Sequence, residues 1–167
     1  MIFFAARCIY ALRFARMLVM GICNPAGEQD TYNGLYFTQK ELLQLKDTMR
    51  GVSVKTEHAG SAIGHVLSGF VDASGNLHCV MEIEQQSLPG ALAQGFIRDG
   101  VAAELSLGYT VDIKNHASGL KAAEKKLLEV SIVRKGARKG CHIVAYQEAD
   151  REVVYTAKDA WSTFDLT

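Results

Sequence analysis

Alternation of apolar and polar positions dominates this chain, and helical spacing is confined to a few short windows. Period-two runs cover residues 17–23, 52–56, 63–70, 77–83, 102–111, 127–133 and 141–146, and each predicts a β-strand. Residues 42–49 carry an apolar face at helical spacing behind Thr38-Gln39-Lys40-Glu41, a capping box in which threonine and glutamate satisfy each other's backbone amides. A second helix is predicted over 88–99, with Ser87 as cap, Pro89 in its first turn and Gly100 as terminator. Turns fall at Asn24-Pro25-Ala26-Gly27, around Gly60 and Gly64, and at residues 72–76. The lysine-rich stretch 115–126 reads as a mobile surface loop or short helix, and residues 157–164 predict one more helix. Strands outnumber helices, no repeat is present, and hairpin-like connections join them. The predicted class is mainly β with α, an antiparallel sheet or barrel with helices packed outside.

Composition narrows this picture. The chain of 167 residues suits a single domain over residues 18–167, preceded by an extension, 1–17, that is amphipathic or unstructured. Lysine plus arginine equals aspartate plus glutamate at 18 each, so no global charge draws the protein to nucleic acid or to an acidic membrane surface. Residues 1–20 are apolar but interrupted by Arg7, Arg13 and Arg16, which leaves no run long enough to span a bilayer. The same arginines lie within and beyond the apolar part, unlike a secretory signal; an acid-free, arginine-bearing stretch is shared with organelle presequences, but an extra amphipathic helix or an unstructured extension is the expectation here. Cys8, Cys23, Cys79 and Cys141 form no CxxC pair and predict reduced, mostly buried thiols in an intracellular setting.

The candidate chemistry centres on Ala102-Ala103-Glu104-Leu105-Ser106-Leu107-Gly108-Tyr109-Thr110-Val111. Period-two geometry puts Ser106 and Gly108 on the face opposite Leu105, Leu107 and Tyr109, and the glycine removes bulk beside the hydroxyl. A serine attacks only when a neighbouring base takes its proton, and that base needs a third group to orient it. His58 at a strand end, Ser106 and Glu129 in mid-strand would fill these roles. Pattern alone leaves each with a plainer reading: a solvated turn histidine, a serine on a wet strand face, an exposed strand glutamate. His116 and His142 are alternatives for the third group. A metal hydrolase would draft His58, His65 and His78, but no HExxH or comparable spacing exists.

The order His58…Ile63-Gly64, then Leu105-Ser106-Leu107-Gly108, then Leu128-Glu129-Val130-Ser131-Ile132-Val133 resembles the viral capsid maturation proteases, namely the prohead proteases of tailed phages and the assemblins of herpesviruses. Gly136-Ala137-Arg138-Lys139-Gly140 before a strand ending in Tyr146 is similar to the Gly-Arg-Arg-x-Gly loop of assemblins. The resemblance covers residues 51–146. It implies His58 as general base, Ser106 as nucleophile and Glu129 as third member, where herpesvirus enzymes have a second histidine and phage enzymes an acidic residue. It further implies an oxyanion site at the Ala137 amide and at a water held by Arg138, with Ala137 departing from the family's first arginine. A solvated basic turn is the plainer reading of that loop.

As to architecture and biology, the resemblance implies a closed or nearly closed barrel ringed by helices, and a homodimer needing no cofactor. It implies cleavage of the scaffold or assembly protein and of the enzyme's own precursor, within the procapsid shell. The setting would be the interior of the immature capsid, in the host nucleus if herpesvirus-like or the host cytoplasm if phage-like. A catalytically inactive barrel module for scaffold or capsid assembly is the rival reading.

Overall fold

The computed structural model describes residues 16–27, 35–111, 125–148 and 151–156. Among the described residues eight strands and two helices follow one another as β1 (Arg16–Asn24), α1 (Gln39–Thr48), β2 (Ser53–Thr56), β3 (Ala59–Val71), β4 (Leu77–Glu84), α2 (Leu88–Arg98), β5 (Glu104–Val111), β6 (Lys125–Val133), β7 (His142–Glu148) and β8 (Val154–Tyr155). The strands lie in the order β1-β4-β3-β2-β6-β5-β7-β8, and a further β1–β7 pairing closes the first seven into a barrel. β8 is an added edge strand on β7.

The expected barrel is therefore present, with one difference in its ladders. β2 and β6 run parallel, Ser53 opposite Glu129 and Thr56 opposite Ile132, while every other pairing is antiparallel. Alternation within a strand cannot reveal its partner's direction. Three strands and a helix separate β2 from β6, so the chain has ample length for the crossover that a parallel pair needs.

Met17, Val19, Val54, Ile63, Val66, Leu105, Val130 and Ile132 fill the buried interior. Glycines let the walls come close: a Cβ on Gly21 would lie 2.5 Å from Leu105 Cδ1, and one on Gly64 would lie 1.8 Å from the Glu82 carbonyl oxygen. Gly64 thus lies well inside β3, which takes in the predicted 63–70 strand and begins four residues earlier. The turn predicted around Gly60 and Gly64 is instead the two-residue connection Glu57-His58, with Thr56 opposite Ala59.

Both helices begin where expected. Thr38 and Glu41 form the reciprocal capping box, and Ser87 caps α2 ahead of Pro89. α1 lies on β3, where Gly69 leaves room for Met49. α2 packs on β4, its Gln94 donating to the Ile83 carbonyl at 3.1 Å. β4 is covered on both faces, against the simple alternation of its sequence. His78 is buried, stacks on Phe70 with ring centroids 4.8 Å apart and bonds Asp72 at 2.8 Å, while Glu82 is buried against Arg16 at 3.1 Å. Most of the predicted 115–126 loop and the helix at 157–164 lie outside the described residues, although Lys125 and Lys126 already belong to β6.

Two glycine substitutions should move stability in opposite directions. Gly64→Ala drives a methyl into a backbone carbonyl and should cost at least about 1–3 kcal/mol, a fall in Tm of roughly 2–4 °C per kcal/mol. Gly95→Ala sits mid-helix with only Arg98 Nη2 at 4.0 Å from its new Cβ and should raise Tm modestly, by roughly 0.5–1 kcal/mol of helix propensity. Calorimetric melts of both variants check the pair.

Candidate active site

The parallel β2–β6 ladder and the antiparallel β5–β6 ladder set three outward-facing positions in a row: Lys55 opposite Ser131, and Ser131 opposite Ser106. One step along, Glu129 faces Gly108. A bulge between Gly108 and Tyr109 adjusts the register just beyond that pair, leaving Leu128 exposed and Glu129 buried. The glycine is required here, because a Cβ at residue 108 would lie 2.5 Å from Glu129 Cγ.

His58 reaches this row from the β2–β3 turn. Glu57 and His58 have φ of 50° and 58°, the left-handed pair of a type I′ hairpin, a conformation that favours glycine and asparagine and costs side-chain-bearing residues energy. Bonds to β6 and to Arg134 just beyond it hold the turn in place. Glu57 N donates to the Ile132 carbonyl at 3.1 Å, His58 N donates to Ser131 Oγ at 3.2 Å, and the Glu57 carboxylate accepts from Arg134 N at 2.9 Å. So anchored, the imidazole lies over the row with Nε2 2.8 Å from Ser106 Oγ and Nδ1 2.7 Å from Glu129 Oε1.

The hydrogen-bond pattern fixes the tautomer that works. Nδ1–H donates to the carboxylate, and Nε2 keeps its lone pair for the Ser106 hydroxyl. Burial pushes the Glu129 carboxyl upward, but bonds from His58, Ser131 (3.0 Å) and Lys55 (3.3 Å) outweigh it and hold the group below its ordinary 4.5. Glu129 is accordingly ionised at neutral pH.

All three predicted members are thus within hydrogen-bonding distance in the order carboxylate, imidazole, hydroxyl. Two partners were not foreseen. Ser131 accepts from the backbone of His58 while donating to Glu129, and the signal for it was its place two residues after Glu129 on the same strand face. Lys55 was legible only as a polar position of an alternating strand.

Ser106 and His58 open on a cleft of about 770 Å³ whose other walls include Leu35, Gly108, Tyr109, Lys135, Gly136, Ala137 and Arg138. The 134–140 loop is therefore a wall of the cleft and not merely a solvated turn. Arg138 is 4% exposed, its guanidinium 5.1 Å from the Phe37 ring centroid and 5.6 Å from that of Tyr109. Its Nη2 donates to Tyr109 Oη at 3.0 Å and to the Leu35 carbonyl at 3.3 Å, while its buried Nε has no partner among the described residues.

The rival histidines lie apart from this cluster. His78 is engaged with Asp72, His142 donates to the Gly140 carbonyl at 2.9 Å, and His65 pairs with Ser53 and Glu82 in the ladders. His116 and Cys8 lie outside the described residues. Among the described residues no group of three or more His, Cys, Asp or Glu side chains could hold a metal ion. Burial pushes the Cys141 thiol up to about 12 and raises Cys23 well above its usual value, which keeps both protonated and poor nucleophiles at neutral pH.

No protein family profile matches the chain, and no curated protein matches it in sequence. Solved structures do match. The protease of Kaposi's sarcoma-associated herpesvirus in complex with a hexapeptide phosphonate inhibitor superposes with a TM-score of 0.54 at 18% identity, covering 79% of this chain and 65% of that one. The chain has the herpesvirus protease fold. Two structures of the same viral protease with dimer disruptors give TM-scores of 0.50 and 0.51 at 20% and 18% identity, each over 80% of this chain and 77% of the viral one. The chain thus spans just under two thirds of the viral protease chain in the first of these structures.

Because the Glu129 carboxyl sits below its ordinary value in the folded protein, its ionisation stabilises the fold fully above about pH 4.5 and ceases to do so as pH falls through the depressed value. Thermal melts between about pH 7 and pH 3 should therefore fall more steeply on the acid side for wild type than for Glu129→Gln. Parallel acid limbs would remove the ionised carboxylate from the fold's account.

Proposed function

We propose that this protein is a serine endopeptidase of viral capsid maturation, cutting the internal scaffold or assembly protein and its own precursor. The observation that carries this reading is the double engagement of His58, 2.8 Å from a hydroxyl and 2.7 Å from a carboxylate, on a fold shared with a viral protease.

In this mechanism Ser106 Oγ attacks the peptide carbonyl as His58 Nε2 accepts its proton, and a C–O bond forms while the carbonyl π pair moves to oxygen. His58 then returns the proton to the leaving amine, the C–N bond breaks and an acyl-enzyme remains. Water repeats the sequence and frees Ser106. Glu129 stays ionised and stabilises the imidazolium without taking its proton.

The developing oxyanion is met by the Ala137 amide and by a water on Arg138. Two features support that role: Ala137 and Arg138 wall the same cleft as Ser106, and the buried Arg138 Nε lacks an acceptor among the described residues. Removing one such donor costs about 10²–10³ in kcat. Activity as a homodimer is part of the proposal, supported by the dimer disruptors bound to the similar viral protease. The site of action is the interior of the immature capsid, and no cofactor takes part.

A serine-directed fluorophosphonate should label wild type on Ser106, located by peptide mass, and leave Ser106→Ala unlabelled and unable to cut a scaffold-like substrate. Cleavage by both variants, or no labelling of wild type at concentrations that permit dimers, ends the protease reading. Within the relay, Glu129→Gln should lower turnover by about 10²–10⁴-fold without unfolding the chain, whereas His142→Ala should leave turnover nearly intact. The reverse pattern would hand the third role to His142.

A further inference from the structure

The loop carrying the proposed oxyanion donors is tied to the nucleophile's own strand at two points. It leaves β6 after Val133 and enters β7 at His142, and Glu104 of β5 is the residue that faces both. Glu104 therefore stands between the loop's two feet. Its Oε2 accepts from Gly136 N at 2.5 Å, a charge-assisted bond. Gly136 lies so close over β5 that a Cβ there would come within 2.9 Å of the Leu105 carbonyl oxygen and 3.2 Å of Glu104 Oε2. Two residues later Arg138 Nη2 donates to Tyr109 Oη at 3.0 Å, with the guanidinium over the tyrosine ring.

Glu104 and Ser106 project from the same face of β5, about 6.8 Å apart along the strand. The hydroxyl and the loop are thus referred to a single rigid segment, whereas the chain connection alone would refer the loop to β6 and β7.

We propose that Glu104 and Tyr109 are positioning residues that clamp the 135–138 loop to β5 and hold its donors at a fixed distance from Ser106. This rests on the protease reading above. The clamp acts on the loop and touches neither proton transfer nor the imidazole. It should influence the tetrahedral transition state more than the bound ground state, because the donors must meet an oxygen that moves only as the carbonyl becomes tetrahedral.

The test is steady-state turnover of a peptide substrate by wild type, Glu104→Leu, Glu104→Gln and Tyr109→Phe, after fluorophosphonate labelling has established that wild type is active. Misplacement by about 1 Å costs on the order of 100-fold, so Glu104→Leu should lose roughly 10–100-fold in kcat with KM within about threefold. Glu104→Gln, which keeps an acceptor for the Gly136 amide, should recover most of that loss. Tyr109→Phe should lose less, in kcat again. An unreactive wild type defeats the protease reading itself. With an active wild type, the clamp alone is overturned by any of three results: a folded Glu104→Leu with wild-type kcat, a Glu104→Gln as impaired as the leucine variant, or an effect confined to KM. Should Glu104→Leu fail to fold, Tyr109→Phe, which deletes one hydroxyl, decides the matter through the same kcat and KM comparison.

Discussion

One imidazole bonded on both sides is the constraint from which the arrangement of this molecule follows. To reach Ser106 and Glu129 together, His58 must leave the sheet at a two-residue turn and fold back over the outer face of β6. The left-handed backbone this requires is unfavourable for both Glu57 and His58. Ser131 offsets part of that cost, since one hydroxyl accepts a hydrogen bond from the strained amide and donates one to the carboxylate. The strain, the turn length and the strand register are therefore a single solution to one geometric demand.

The barrel supplies the rigidity. Interior positions such as Val54, Leu105, Val130 and Ile132 are fully packed, and the intervening outward positions, Lys55, Ser106, Glu129 and Ser131, carry the polar cluster. Strand pleat thus divides stability from chemistry, residue by residue, along the same three strands. The polar face is shielded in its turn: Ser106 and Glu129 are buried although they lie outside the barrel wall, with the His58 ring bonded to both and residues 135–138 walling the cleft at Ser106. A carboxylate so placed stays charged only because every one of its oxygens is engaged.

Much of this was legible in the sequence, for reasons that also explain the remainder. The strands at residues 102–111 and 127–133 announced themselves by alternation, and the helix caps at Thr38 and Ser87 by local hydrogen-bond chemistry that needs no tertiary context. His58, Ser106 and Glu129 were reached through short motifs in order. What could not be read was anything set by partners distant in the chain. The parallel sense of β2 against β6, the burial of His78 and Glu82 on the second face of β4, and the start of β3 already at Ala59 all depend on neighbours that alternation does not name. The misplaced turn is instructive, since the lack of a side chain at Gly64 serves close contact with the Glu82 carbonyl and not chain reversal. Glu104 gave no signal at all, because its meaning comes from the two strand ends it faces.

The parallel ladder has a temporal consequence. β2 and its histidine are synthesised long before β6, and β6 brings both the carboxylate and the serine hydroxyl that pin the turn. Until that late strand docks beside β2, the turn lacks the bonds from Ile132, Ser131 and Glu129 that secure His58 in its costly conformation, so a nascent or partly folded chain does not yet hold carboxylate, imidazole and hydroxyl together. A barrel whose last seam joins β1 to β7 assembles through contacts far apart in sequence, and such folds form slowly. Closure of the carboxylate, imidazole and hydroxyl into one hydrogen-bonded relay is in this way made contingent on completing the fold.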